Sequence, residues 1–564
     1  MKKKLYAFIG VIGIVATSSC AQSSNETEIQ YEKYDSSTIK FTDDSNANDD
    51  KFRNDLYFRN DLNQDMGDPM MVYDNDTFYA YGTYNASIIA TFTSNDLTNR
   101  TRSKTNAFTP SPGSWSTRDI WAPDLQKIGD KWYLYYTANY SANGKSNCQI
   151  GVAIGDSPAG PFTQFTGTNA NGENITLDKP AFFYEGHTIL DQHVFQDDNG
   201  ELYMFFSYDT NTSTPEEGHN KGCAEIWGVK MKDPVTWDFS TLTRLISPGY
   251  KKLSDSSRTI DWETWSPSFQ GDMECVEGPY MIKKNGKYIL TYVANSFVDT
   301  EYAVGYALSD SPLGIYDKPN SRPLENMILG VPGQTGTYIN TRYLGFQTGT
   351  GHASICEVGD ELMFAYHAHL NRDKWGAKED EYGEKSKWRA LAVDYLHFDE
   401  NGMPYANGPT WSLQKLPDVV TETENLALKA TFKANGKNLE YFNDKYTNRA
   451  IKTEEVAKEV EFEAGKHAIE IKLDKPHKIK AVNVFNSYDY TKKIDYINQI
   501  DFGNSKGVVD LLFNTRYVNN KTKFVFPHSA FNVALDEEII TDRIVIEVEN
   551  KTPFAISEIE VIGE

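Results

Sequence analysis

Apolar and polar positions alternate along most of the chain, and the alternating runs come in pairs. VEGPYMIKKNGKYILTYVAN from Val276 has two such runs around Asn285-Gly286. That dipeptide between alternating runs predicts a β-hairpin. Four more segments repeat the scheme: GDPMMVYDNDTFYAYGTY from Gly67, APDLQKIGDKWYLYYTAN from Ala122, LDQHVFQDDNGELYMFFSYD from Leu190 and GHASICEVGDELMFAYHAH from Gly351. Each has a polar head residue, an apolar strand, a turn containing Gly, Asn or Asp, and an aromatic strand. The heads align as Asp68, Asp124, Asp191, Glu277 and His352. A third run follows each hairpin, for example QIGVAIGDSP and YAVGYALSDSP, and predicts another strand with an exit turn.

A unit of at least three strands therefore recurs five times between about Asp55 and Leu416, with loops of unequal length between copies. Repeated antiparallel sheets of this kind pack radially, so the expected fold is all-β: a five-bladed β-propeller followed by a β-sandwich. The innermost strand of each blade lines the axis, which brings the five heads toward one central pocket. A lone acid before a strand is ordinarily a solvated strand-start residue; fivefold recurrence at one position weighs against that.

At 564 residues the chain exceeds one ordinary core and implies two or three domains. Its formal net charge of −23 argues against nucleic-acid phosphates or a polybasic membrane surface as partners. MKKK, then LYAFIGVIGIVA, then ATSSC ending at Cys20 is a basic, apolar, small-residue succession too short to span a bilayer. It resembles a lipoprotein signal with Cys20 as the lipidation site, although Thr17 stands where Leu is usual; a plain cleaved signal is the alternative. The expected location is therefore exported and lipid-anchored to the outer membrane, with that anchor as the sole membrane contact. Residues 21–54, rich in Ser, Asn and Asp, read as a flexible tether. The propeller is expected over 55–415, a linker over 416–425 and the sandwich over 426–564. Cys148, Cys223, Cys275 and Cys356 allow three disulfide pairings, and nothing in the spacing chooses among them.

Carboxyl groups that converge raise one another's proton affinity. A protonated and an ionised carboxyl facing one glycosidic bond are what its hydrolysis requires. The five motifs, and above all GDPMMVYDNDTFYAYGT, WAPDLQ and EGPYMIKKNGKYILTY, resemble glycoside hydrolase family 43 over roughly residues 55–415. The resemblance implies Asp68 as general base, Glu277 as general acid and Asp191 as the residue that orients the acid and tunes its proton affinity. Gln192 departs from the Pro usual there. GTGHAS resembles the family's fifth-blade motif, which implies His352 near the axis and near a possible structural Ca²⁺; no cofactor is otherwise required. Trp121, Asp124, His352 and Arg389 are candidates for substrate binding, each with a packing or salt-bridge role as the alternative. Glu274-Cys275 is similar to a Glu-Cys pair of invertase-like five-bladed enzymes, but the other motifs of that family are absent and Glu274 precedes the blade head. DLNQDMGD from Asp61 is a poor calcium loop, with its Gly one place late and Val72 where a bidentate Glu is needed.

HAIEIKLDKPHKIKAVNVFNSYD and DRIVIEVENKTPFAISEIEVIGE read as sandwich strands similar to discoidin-type, galactose-binding-like domains, with glycan binding or structural support as the two roles. The expected function is an inverting exo-type glycosidase acting on side chains of plant-type polysaccharide or oligosaccharide, an α-L-arabinofuranosidase and/or β-D-xylosidase. The alternatives are a galactosyl- or galactofuranosyl-specific hydrolase and, in a different class, a non-catalytic glycan-binding lipoprotein.

Overall fold

The computed structural model describes residues 41–43, 52–60, 64–142, 145–209, 222–266, 273–299, 301–321, 325–330, 347–370, 389–447, 458–487, 489–503, 508–520 and 523–564. The signal segment, Cys20, the start of the Asp61 loop and most of the expected tether lie outside the described residues.

Five antiparallel sheets match the five sequence units. Blade 1 is Gly67–Asp74, Thr77–Thr83, Phe92–Ser94 and Thr101–Arg102. Blade 2 is Trp121–Ile128, Lys131–Ala142, Lys145–Gly155 and Thr163–Gln164. Blade 3 is built on Thr188–Gln196, Leu202–Asp209 and Gly222–Asp233, and blade 4 on Met273–Lys284, Lys287–Ala294, Ala303–Ser309 and Met327–Leu329. Blade 5 is Gln347–Val358, Glu361–Leu370 and Ala390–Tyr395. The first strand of each blade packs beside the first strand of the next, and that of blade 5 returns to blade 1. The fold is thus a closed five-bladed propeller. Blades 3 and 4 are also stitched by a short parallel pairing, Gly222–Ala224 against Met273–Cys275.

The chain closes the ring with the segment before blade 1. The Met66 N–H donates to the Arg389 carbonyl, the Leu391 N–H to that of Gln64, and Tyr57–Phe58 pair with Gln414–Lys415. Buried Asn60 completes the seam, accepting from the Val393 N–H and donating to the Val393 and Thr410 carbonyls. Turn chemistry follows the sequence where it is strongest: Asn285 (φ 51°) and Gly286 (φ 75°) both adopt the left-handed conformation a type I′ hairpin turn needs.

Residues 424–564 supply eight strands of a further sheet, built around two long strands, Gly465–Asn486 and Ala530–Asn550, and Phe41–Asp43 adds the ninth. Its apolar face is continuous with that of blades 4 and 5. Two expectations need correction here. The tether is not bare throughout, because Phe41–Asp43 pairs with Val533–Leu535 as an edge strand. The expected linker is not a free connection either: Leu416 is buried, Asp418–Thr421 is a helical turn, and Glu424–Asn425 pairs with Ile562–Gly563.

Candidate active site

Every inner strand carries the same irregularity near its start. The ladder breaks between Gly67 and Met70, Trp121 and Asp124, Leu190 and His193, Glu277 and Tyr280, and on both sides of Gly351. The residue that begins each bulge has a left-handed backbone: Asp68 (φ 49°), Ala122 (44°), Asp191 (54°), Gly278 (57°) and His352 (50°). Four of the five are not glycine, and that conformation costs an L-residue about 1–2 kcal/mol. Backbone strain repeated at one level of the ring singles that level out as the candidate site.

A bulge frees a backbone N–H, and the preceding blade catches it. The residue opposite the start of each bulge, on the second strand, is Thr83, Thr137, Ser207, Val293 or His367. Thr83 Oγ1 accepts the Ala122 N–H (3.0 Å), Thr137 Oγ1 that of Asp191 (3.0 Å) and Ser207 Oγ that of Gly278 (3.2 Å). His367 Nδ1 closes the circle by accepting the Asp68 N–H (3.2 Å). Val293 breaks the series between blades 4 and 5.

This register corrects the alignment of the heads. Asp68, Asp191 and His352 sit at the bulge itself. Glu277 sits one residue before it, and Asp124 two residues after Ala122. Asp124 is accordingly turned into the seam between blades 2 and 3. Its carboxylate accepts from the Val194 N–H (2.8 Å) and Gln126 Nε2 (2.9 Å) and meets His193 Nδ1 (3.1 Å). Part-exposed Trp121 lies beside Ala122 at the strand entry. Gln192 is buried and bridges the same seam, donating to the Ala122 carbonyl and accepting from the Thr137 hydroxyl.

Asp68, Asp191 and Glu277 act on one another electrostatically, yet their surroundings drive them apart. Burial alone would raise Asp68. Arg389 Nη1 donates to its Oδ1 (2.6 Å), His352 Nδ1 lies 3.2 Å from the same oxygen, and Thr83 donates to Oδ2 (2.6 Å). Together these hold Asp68 well below the usual carboxylate range. Arg389 reaches it by lying across Gly67, where a Cβ would fall 2.2 Å from the guanidinium carbon. Glu277 is raised, by burial first and then by Asp68, against the hydrogen bond from Tyr302 to its Oε1 (2.7 Å). Asp191 is raised well above its ordinary value by burial, Glu277 and Asp68. Its Oδ2 accepts a long bond from Ser207 (3.3 Å). Two carboxyls so placed titrate as a pair, and the pair holds its first proton more tightly than an ordinary carboxyl does.

Burial also lowers both histidines, so they face Asp68 as neutral rings. His367 must accept at Nδ1, because a backbone N–H can only donate, and so carries its proton on Nε2. Glu274, the competing acid, is held bidentate by Arg258 (2.8 and 2.5 Å) and belongs to a salt bridge. Among the described residues no group of three or more His, Cys, Asp or Glu side chains is arranged to hold a metal ion. His352 offers one imidazole nitrogen where Ca²⁺ takes six to eight oxygens, so these residues do not by themselves fit that ion. Cys148, Cys223, Cys275 and Cys356 are buried, and no disulfide joins them.

Residues 59–404, more than half the chain, match the model of glycosyl hydrolases family 43. The chain belongs to that family. Membership places it among the glycosidases. It is 31% identical over 204 residues to Xylosidase/arabinosidase 43A of Humicola insolens, a match covering 34% of this chain and 54% of the relative. It is 23% identical to extracellular endo-alpha-(1->5)-L-arabinanase 2 of Bacillus subtilis, over 73% of this chain and 80% of the relative. The matched segments thus span from about half to four-fifths of those relatives' lengths. A crystal structure of a thermostable family-43 glycoside hydrolase superposes with a TM-score of 0.48 at 24% identity, over 63% of this chain and 98% of that one.

The sequence reading of this family-43 site missed Thr83, Thr137, Ser207, His367 and Tyr302. For the first three a signal existed: YGT, YYT and FFS stand at matching positions in the second strands of blades 1–3. Tyr302 and His367 carry no such mark.

Proposed function

We propose that the chain hydrolyses terminal α-L-arabinofuranosyl and β-D-xylosyl linkages of plant-type polysaccharide or oligosaccharide with inversion. The observation that carries this reading is the opposite treatment of two neighbouring carboxyls. Asp68 is clamped ionised by Arg389, and burial raises the proton affinity of Glu277. In the proposed step Glu277 gives its proton to the glycosidic oxygen. The C–O bond breaks with its electron pair going to that oxygen, while a water loses a proton to Asp68 and bonds to the anomeric carbon. Asp191, beside Glu277, keeps the acid's proton affinity high, and Trp121, His352 and Arg389 border the sugar. The choice of pentosides rests on the family and on relatives named as a xylosidase/arabinosidase and an arabinanase. Export with Cys20 as lipid anchor belongs to the same reading; a relative named extracellular supports export alone.

The test is a panel of nitrophenyl α-L-arabinofuranoside, β-D-xyloside and β-D-galactofuranoside, with linear arabinan alongside and the first-formed anomer followed by NMR. Release of the pentosides with inverted configuration is expected. Turnover of the galactofuranoside alone overturns the substrate assignment, and retention overturns the mechanism. Binding without turnover on every sugar leaves the glycan-binding reading in its place.

A further inference from the structure

The proposed acid has an unassigned partner. Tyr302 lies at the start of the third strand of blade 4, with its side chain fully buried. Its hydroxyl meets Glu277 Oε1 at 2.7 Å. Burial, then Glu277 and Asp68, push the phenol well above its ordinary value, so it stays protonated and donates. The ring stacks on His367, with centroids 5.3 Å apart and planes 10° from parallel. Blade 5 makes room for it at Gly351, where a Cβ would fall 2.3 Å from the Tyr302 ring. The phenol is therefore wedged between blades 4 and 5, at the one seam where Val293 supplies no hydroxyl to the bulge.

We propose that Tyr302 is a positioning residue for the acid: by donating to Oε1 of Glu277 it fixes the carboxyl plane and leaves Oε2 to carry the proton that reaches the glycosidic oxygen. The inference rests on Glu277 being the acid. Its physical content is a competition. The site needs Glu277 protonated, yet a donor to the carboxylate favours ionisation. Burial and the charge of Asp68 oppose that donor, with Arg389 and the Cys275 thiol on its side. His367 beneath the ring and His352 against Gly278 are neutral and add no charge to the balance. Tyr302 thus contributes orientation at the cost of some proton affinity, and the other groups restore the affinity.

Two variants separate this from a packing role. Tyr302→Phe keeps the ring, its stack on His367 and its fit to Gly351, and removes only the donor. The basic limb of the kcat/KM–pH profile, which reports the acid, should move up by about one pH unit. The acidic limb should stay in place. On an oligosaccharide, whose leaving group needs the proton, kcat should fall about 10- to 100-fold, and on a nitrophenyl glycoside much less. Placing 3-fluorotyrosine at 302 strengthens the donor without changing the shape and should move the basic limb the other way. A basic limb unmoved by both replacements overturns the inference, as does an equal loss on both substrates. Glu277→Gln is measured beside them. If it loses equally on both substrates, the acid assignment falls and this inference with it. If it spares the nitrophenyl glycoside while the Tyr302 replacements leave the limb in place, only the positioning role falls.

Discussion

Asp68 is a buried carboxylate that stays ionised because the Arg389 guanidinium and the Thr83 hydroxyl donate to it, with His352 Nδ1 3.2 Å away. Burial is the largest influence on it and pushes upward, so removing the guanidinium should reverse the outcome. With its proton affinity depressed, Asp68 is ionised throughout the ordinary range and is lost as a base only as pH falls through its lowered value. The acidic limb of kcat/KM should therefore lie below the ordinary aspartate value of 3.8 in the native protein. In Arg389→Met that limb should climb by about 1–3 pH units. Gly67→Ala should act alike, since the new Cβ occupies the guanidinium's place. A pH profile of each variant checks both, and an acidic limb that stays put would assign the base elsewhere. Much of this site was legible in the sequence, because Asp68, Asp191 and His352 are the bulge residues of a repeat visible by eye. The hydrogen-bonding roles were not. Arg389 is far from Asp68 in sequence, and its function depends on a glycine that admits it. Tyr302 looks like any aromatic at the head of a strand until its neighbour across the seam is known.

At the scale of the strand, one local rule recurs: a left-handed residue opens a bulge, and a side chain of the preceding blade takes its N–H. The pattern of alternation predicted the hairpins but not the bulge, because a bulge adds a residue without disturbing polarity. That is why aligning polar heads placed Asp124 in the ring, while the structure puts Ala122 there and turns Asp124 into the seam between blades. Thr137→Val tests the rule. It keeps the side-chain volume, leaves the Asp191 N–H and Gln192 Oε1 without this partner, and should destabilise the fold by about 1–3 kcal/mol. Chemical denaturation measures it; a change within error would mean that the bulges hold themselves. A second device pins blade 4. Lys318 and Glu263 are both buried and paired at 2.6 Å, and Glu263 also accepts from Tyr292 and the Gly249 N–H. Lys318→Met leaves that carboxylate buried without its cation, and a loss of about 3–5 kcal/mol is expected in the same assay.

At the scale of the whole molecule, the sequence divides the chain into a tether, a propeller, a linker and a sandwich, and the structure fuses the last three. Composition made 416–425 look like a spacer, since Thr, Glu and Asn there give no apolar period. Burial at that segment depends on partners far along the chain, which local sequence does not record. Ahead of this fused unit, Cys20→Ala should move the protein from the membrane to the soluble fraction, and an unchanged distribution would remove the lipid anchor. The fused unit itself makes a sharper claim. Leu56 and Tyr57, which close the propeller ring, pack with Leu413, Ala481, Ala534 and Ile562, so the closing seam is half sandwich. The Tyr57 hydroxyl donates to Asn483 Oδ1 at 2.7 Å, Arg516 lies over the Trp411 ring at 4.4 Å, and Tyr405 stacks on Tyr446. A propeller cut after Lys415 would expose these side chains at the one place where the ring is closed by a short pairing of two residues per strand. Each large apolar side chain uncovered costs about 1.5–3 kcal/mol, and a handful of them approaches the whole stability of an ordinary domain. The full chain should therefore melt calorimetrically in one transition over the propeller and sandwich together, and the truncated propeller should lose activity by opening at its closure rather than at the distant carboxyls. Two separated transitions in the full chain, or a truncated propeller that melts and turns over like the whole, would show that the sandwich is carried rather than required.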